Sequence, residues 1–230
     1  MSISAPQQFD AYAREYDAAR HRLVPDFDDF YGSVADALGF NFAPDAEFRV
    51  CDLGAGTGLL TAVLAARFPR ARFVLCDAAP QMLNQARERF AGQERFSFEM
   101  HDFASESLPG KFDAVVSALA IHHLAHEALA PLFGRVRAAL KAGGVFVNAD
   151  QTLGVSPLVA AAFEARWQAD VRAKGSDEAE IALAIERRRV DRHTPLEFQL
   201  NALREAGFAE VECIYKRFLF AVMAAWMPRD

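Results

Sequence analysis

The feature that most limits how this chain can fold is the stretch "FRVCDLGAGTGLLTAVLAA" at residues 48–66, an apolar run ending in an acid and three alternating glycines. Gly54, Gly56 and Gly58 follow the run directly, and Leu59, Leu60, Val63 and Leu64 come next at helical spacing. Glycine accepts the positive φ of a tight turn and lets a ligand approach the backbone. The pattern reads as strand, tight turn and helix start.

Beyond this unit, strand and helix patterns alternate after an N-terminal helical segment. Strand-like runs lie at 48–53, 72–76, 96–100, 114–117, 145–149, 211–215 and 218–222, with amphipathic patterns between most of them. Such alternation builds a mostly parallel sheet with helices on both faces. The last two runs are joined by a very short turn around Lys216 and Arg217, which only an antiparallel hairpin can accommodate. Two helix boundaries are marked. Pro80 opens the helix after Asp77, which ends near Gly92; in "HTPLEFQLNALREAGF" Thr194 reads as N-cap, Pro195 as first helical residue, Glu197 as the capping-box partner and Gly207 as the stop.

One stretch interrupts the alternation. Between the strand in "GGVFVNADQ" and the Thr194-capped helix, about forty residues read as two helices, 156–174 and 177–192, separated by Gly175 and Ser176. A connection this long at a strand's carboxyl end, where open α/β sheets bind ligands, is expected to cap a site.

The glycine turn excludes one familiar chemistry and disfavours another. Leu59 and Leu60 follow Gly58 where a phosphate-cradling loop needs lysine and a hydroxyl residue. The glycine spacing is one residue tighter than a dinucleotide fingerprint, and Asp52 ahead of the turn suits a positively charged ligand better than a pyrophosphate.

"VCDLGAGTG" followed by "FVLCDAAPQML", "MHDF" at 100–103, "FDAVVSALAIHHL" at 112–124 and "LKAGGVFVNAD" at 140–150 resembles, in order, the motifs of class I S-adenosylmethionine-dependent methyltransferases. The resemblance covers roughly residues 46–150. It implies a three-layer α/β sandwich whose seven-stranded, mostly parallel sheet has the order 3-2-1-4-5-7-6 with strand 7 antiparallel, and the terminal hairpin agrees. It also implies S-adenosylmethionine as cofactor and S-adenosylhomocysteine as product.

Carried onto this sequence, the resemblance places the methionine end of the cofactor against Gly54, Ala55, Gly56 and Gly58, with Asp52 toward its ammonium group. Asp77, followed by Ala78, takes the ribose hydroxyls or serves as a helix N-terminal acid. Met82 lies on the adenine face or in the core. Asp102 accepts from the adenine amino group beside the Phe103 amide, or is a turn acid. Ser117 and Ala118 end strand four next to the methionine moiety. In the N-terminal segment Tyr12 and Tyr16 share a helical face with Phe9 nearby, and Arg20 follows Tyr16 by one turn. In similar enzymes such a segment folds over the cofactor, which brings Tyr16 or Arg20 toward its carboxylate.

The segment "IHHLAHE" gathers His122, His123, His126 and Glu127. Adjacent imidazoles on a loop point apart and no carboxylate pair completes a ligand set, so no metal is expected. His122 is expected to face the substrate as general base or acceptor-orienting group, with Tyr31, Asp150 and Trp167 also lining the acceptor side. Residues 1–45 form an N-terminal helical lid segment and 46–230 the cofactor-binding domain, with 153–192 as its helical cap insertion.

Composition enters only to limit partners. With 230 residues, 52% of them hydrophobic, the chain can bury one substantial core. A net charge of −6 argues against affinity resting on nucleic-acid phosphates. Neither a signal-peptide pattern nor an apolar run long enough to span a bilayer occurs, so a cytoplasmic protein is expected. Cys51, Cys76 and Cys213 sit in strand-like runs as small hydrophobes. The function expected is methyl transfer from S-adenosylmethionine to a small-molecule acceptor, by a chain whose fold is compatible with a homodimer. The alternatives are synthesis of a modified, carboxy-S-adenosylmethionine-like cofactor for tRNA modification, a nicotinamide oxidoreductase, and a non-catalytic cofactor-binding protein.

Overall fold

A computed structural model describes residues 16–229. The elements run α1 (Tyr16–Leu23), α2 (Phe27–Gly39), β1 (Arg49–Leu53), α3 (Leu59–Arg67), β2 (Arg72–Asp77), α4 (Pro80–Arg89), β3 (Phe96–Met100) and β4 (Phe112–Ala118). After a 3-10 turn at Ile121–His123 come α5 (His126–Ala139), β5 (Leu140–Gln151), α6 (Pro157–Ala173), α7 (Glu178–Arg188), α8 (Leu196–Glu205), β6 (Glu210–Arg217) and β7 (Phe220–Trp226). The strands form one seven-stranded sheet in the order β3-β2-β1-β4-β5-β7-β6. All pairings are parallel except those of β7, which runs antiparallel to β5 and β6. Order and polarity are those the resemblance implies.

The period-two alternation of side chains explains why the central strands are apolar throughout. In β4 and β5, Ala114, Val116, Val145, Val147 and Ala149 face one core, packed with Phe30, Val34 and Leu38 of α2 and Leu60 and Leu64 of α3. Val115 and Phe146 face the other, with Leu132, Phe133 and Val136 of α5 and Leu203 of α8. Cys51 and Cys76 belong to this second core as free thiols.

Three local expectations are corrected. The hairpin turns at Phe218 and Leu219, two residues later than expected, with Phe218 at φ 49°. Lys216 and Arg217 remain in β6, where the Lys216 ammonium donates to the Thr152 hydroxyl and Arg217 pairs with Asp26. The last helix starts at Leu196, not Pro195, and Pro195 is its N-cap without a side-chain bond, so the Thr194 capping box is not made. An extended bridge from Leu153 to Pro195, with the Leu153 N–H donating to the Thr194 carbonyl at 2.8 Å, holds residues 194–195 out of helical geometry. That bridge also means the insertion leaves and returns at adjacent points.

Within the insertion, Ser156 and Asp177 cap α6 and α7 by accepting from the Val159 and Glu180 amides. The second helix stops at Arg188, short of the expected residue 192, and residues 191–193 turn back toward β4, with the Arg192 N–H donating to the His122 carbonyl at 2.7 Å. Among the described residues, no helix is long and apolar enough to cross a membrane.

Candidate functional site

Two groups of polar residues meet the carboxyl edge of the sheet. The first is the glycine turn. The Gly54 and Ala55 amides donate to the Cys76 carbonyl, which braces the turn against β2, and the Gly56 amide donates to Asp77 Oδ2 at 2.7 Å. Gly54, Gly56 and Gly58 all have positive φ, but they differ in surroundings. A Cβ on Gly54 would meet Ala120 and one on Gly58 would meet Phe90, whereas one on Gly56 would meet nothing within 4 Å. Gly56 is therefore glycine for its backbone conformation, and beside it lies open space.

Asp52, fully buried at the end of β1, accepts from the Thr61 hydroxyl at 2.6 Å through Oδ2, while Oδ1 is buried without a hydrogen-bond partner. Burial pushes the Asp52 carboxyl up to about 7, with the Thr61 bond pulling the other way and the Asp77 charge adding to the rise. Asp77 also accepts from the Ala79 amide at 2.8 Å, and Ala78 is half-buried. From α1, Asp17 reaches over the turn, accepting from the Thr57 hydroxyl at 2.5 Å and pairing with Arg89, whose Nε donates to the Thr57 carbonyl. The N-terminal segment thus contacts the turn through Asp17, a residue the sequence reading did not single out.

The remaining residues expected on the cofactor side are placed less uniformly. Met82 is buried. Asp102 accepts from the Ala104 amide and the Ser105 hydroxyl, both within its own turn, and the Phe103 carbonyl accepts from Arg135. The Ser117 hydroxyl donates to the Leu53 carbonyl, tying β4 to β1, and Ala118 packs against the first core. The Tyr16 side chain, and with it Tyr12 and Phe9, lies outside the described residues. Arg20 comes near enough to His122 to help lower its pKa.

The second group is built around His122. Its Nδ1 is bonded to Asp150 Oδ1, and its backbone N–H donates to Asp150 Oδ2 at 3.1 Å. Asp150 is fully buried at the end of β5 and also accepts from the Gln151 amide, so its oxygens serve to position His122. Burial pushes Asp150 up to about 6 and pushes His122 well below the usual imidazole value, the charge on His123 acting in the same direction. His122 is thus a neutral imidazole with Nδ1 as donor and a lone pair on Nε2.

That lone pair faces residues from the far end of the insertion. His122 Nε2 stands 3.7 Å from Asp191 Oδ2, His193 Nε2 stands 3.6 Å from the same oxygen, and His123 Nδ1 contacts Asp191 Oδ1 at 2.9 Å. The His122 and His193 rings stack with centroids 5.1 Å apart. Asp191 and His193 were missed in sequence because 177–192 read as helix and "HTP" read as helix punctuation.

Tyr31 and Trp167, expected on the acceptor side, have packing roles. Tyr31 is buried in the first core against Phe27 and Phe30. The Trp167 indole N–H donates to the Leu23 carbonyl at 3.0 Å, and Arg188 lies over its ring while pairing with Glu164. With Arg22 bonded to Glu180 through two nitrogens, these contacts fasten the insertion to α1.

A family model described as "Methyltransferase domain" matches residues 51–146. The chain is 34% identical over 125 residues to the biotin biosynthesis bifunctional protein BioCD of Bordetella avium, covering 51% of this chain and 24% of that protein. It is 40% identical over 68 residues to the malonyl-[acyl-carrier protein] O-methyltransferase of Acetivibrio thermocellus, covering 30% and 24%. It therefore spans about a quarter of the length of these relatives. Among solved structures, an O-methyltransferase family protein from Burkholderia thailandensis superposes with a TM-score of 0.67 at 17% identity, over 100% of this chain and 64% of that one. The structure of DhpI in complex with S-adenosylhomocysteine does so with a TM-score of 0.63 at 19% identity, over 97% and 96%.

Proposed function

We propose that this chain, which belongs to the class I S-adenosylmethionine-dependent methyltransferases, transfers a methyl group to an oxygen atom of a small-molecule acceptor held beneath the 153–192 insertion. The observation that carries the reading is the pairing of open space beside Gly56 with the orphaned, buried Asp52 Oδ1. A cationic ammonium group near Asp52 would satisfy that oxygen and keep the carboxyl ionised. The residues present therefore fit the cofactor of this family. Its methionine end would lie along Gly54–Gly58 and its ribose against Asp77, whose carboxylate already orders the turn through Gly56.

When bound, S-adenosylmethionine supplies an electrophilic methyl group on a sulfonium and leaves as S-adenosylhomocysteine. The chain's own part is to hold, align and enclose. Aligning an acceptor with that methyl replaces a bimolecular encounter by a positioned one, and excluding water protects the attack. The insertion and α1, fastened through Arg22–Glu180 and Trp167–Leu23, form the cover. Asp150 fixes the His122 tautomer, so that Nε2 presents a lone pair on the acceptor side. An oxygen acceptor is supported by the relatives named as O-methyltransferases, which include malonyl-[acyl-carrier protein] O-methyltransferases.

The test is a calorimetric titration with S-adenosylhomocysteine, followed by an acceptor screen that reads its release from S-adenosylmethionine. The expected result is one site per chain and turnover with an oxygen acceptor that is lost in His122→Ala. Absence of binding by folded protein would end the reading. Binding with a carboxylated cofactor as product would favour cofactor synthesis instead.

A further inference from the structure

We propose that His122, Asp191 and His193 form a binding site for one divalent transition-metal ion where the insertion returns to the carboxyl edge of the sheet. "IHHLAHE" lacks a ligand set of its own, and two of the three ligands come from about seventy residues further on, so the local sequence points to no metal. In the fold, one ligand atom from each residue lies within 4.8 Å of the others.

The distances separate a coordination site from a hydrogen-bonded hub. Asp191 Oδ2 lies 3.7 Å from His122 Nε2 and 3.6 Å from His193 Nε2, beyond hydrogen-bond range for both. Ligand bonds of about 2.0–2.1 Å in tetrahedral geometry put neighbouring ligand atoms about 3.4 Å apart, close to both Asp191 distances. Meanwhile His193 Nε2 is buried with no hydrogen-bond partner. Such an atom costs stability unless something satisfies it.

The surrounding bonds have the form that metal sites use. A ligating histidine donates its other ring N–H to a carboxylate, which fixes the tautomer and raises ligand basicity. His122 does this to Asp150. The second oxygen of Asp191 lies 2.9 Å from His123 Nδ1, so Oδ2 is the oxygen that faces His122 and His193. The positive charges of Arg20 and Arg188 bear on His122 and oppose a metal ion. Arg188 is paired with Glu164 at 2.9 Å, and the carboxylates of Asp150 and Asp191 offset the remaining positive charge.

Two imidazoles and one carboxylate suit zinc, iron(II) or cobalt(II) rather than magnesium or calcium. Three protein ligands leave a position open, the arrangement that distinguishes catalytic from structural sites. An oxygen donor such as a carboxylate or hydroxyl fits that position. This role as acceptor holder rests on the methyl-transfer reading, while metal binding itself does not.

The test uses the full chain, stripped with chelator and titrated with Zn2+ by calorimetry and with Co2+ by visible absorption, without cofactor or acceptor. One ion per chain is expected. Asp191→Asn and His193→Gln should each weaken Zn2+ at least about tenfold, Asp150→Asn by about ten- to a hundredfold, and the exposed His126→Ala by less than about twofold. Circular dichroism confirms that each variant is folded. No Zn2+ binding by the wild type, or binding unchanged in both Asp191→Asn and His193→Gln, overturns the site and leaves a water-bridged or hydrogen-bonded hub. Parallel titration with S-adenosylhomocysteine keeps the two readings apart: cofactor without zinc refutes the metal site alone, and zinc without cofactor refutes the methyl-transfer reading alone.

Discussion

The glycine turn and the His122 group lie at the same edge of the sheet but are built in opposite ways. The turn comes from one unbroken stretch, Asp52 to Gly58, braced by Asp77 one strand away. The His122 group is assembled from β4, β5 and the far end of the insertion, so its geometry exists only once the chain has closed on itself. A site made of contiguous backbone depends on a few dihedral angles, whereas a site made of distant side chains depends on the packing that brings them together. Damage to the two should therefore be separable.

The largest effect expected is at Gly56. Valine there would force a branched side chain into a positive φ and place its methyl groups in the open space beside the turn. Affinity for S-adenosylhomocysteine should fall on the order of a hundredfold or more, about 2.7 kcal/mol, with the far-UV spectrum preserved. If the two regions are independent, Zn2+ affinity stays within about twofold of wild type.

Asp77→Ala should come next. It removes the carboxylate that orders Gly56 and Ala79 and leaves the ribose without a charged acceptor, which costs about 1.5–3 kcal/mol of cofactor binding, or roughly ten- to a hundredfold. Unchanged affinity in a folded variant would remove Asp77 from the cofactor side.

How much of this was legible before the structure follows from the same contrast. The mostly parallel sheet, the reversed terminal strand and the open glycine turn follow from local patterns, because alternation and glycine spacing are written in consecutive residues, whereas the strand order came from the resemblance to the methyltransferase family. Asp191 and His193 were not legible, since nothing in "RRRVDRHTP" states that α7 stops at Arg188 and that the next residues turn back to His122. Thr194 misled for a related reason: its capping signature is sound locally, but the Leu153–Pro195 bridge overrides it. Tyr31 and Trp167 were expected to line the acceptor side by proximity, yet aromatic packing and the Leu23 carbonyl occupy them.

A pH series should separate the regions further. Asp52 is protonated below about pH 7 and ionised above it, and a cationic ammonium favours the ionised form, so affinity for S-adenosylhomocysteine should rise with pH. Between pH 6 and pH 8 the gain should be about tenfold, measured by calorimetry, and should flatten in Asp52→Asn. A slope retained in Asp52→Asn would assign the titration to another group.

The smallest effect is expected where the insertion meets α1. Trp167→Phe keeps the ring but loses the donor to the Leu23 carbonyl, costing about 1 kcal/mol in denaturant unfolding and leaving cofactor affinity unchanged. A large loss of cofactor affinity instead would show that the cover and the turn act as one unit.

The most direct test of the account is S-adenosylhomocysteine titrated into wild type, Gly56→Val and His122→Ala under identical conditions. The account predicts one site in wild type, none detectable in Gly56→Val, and affinity within about twofold of wild type in His122→Ala, because it assigns His122 to the acceptor and not to the cofactor. Binding retained in folded Gly56→Val, or abolished in folded His122→Ala, would contradict the placement of cofactor and acceptor on two separately built regions.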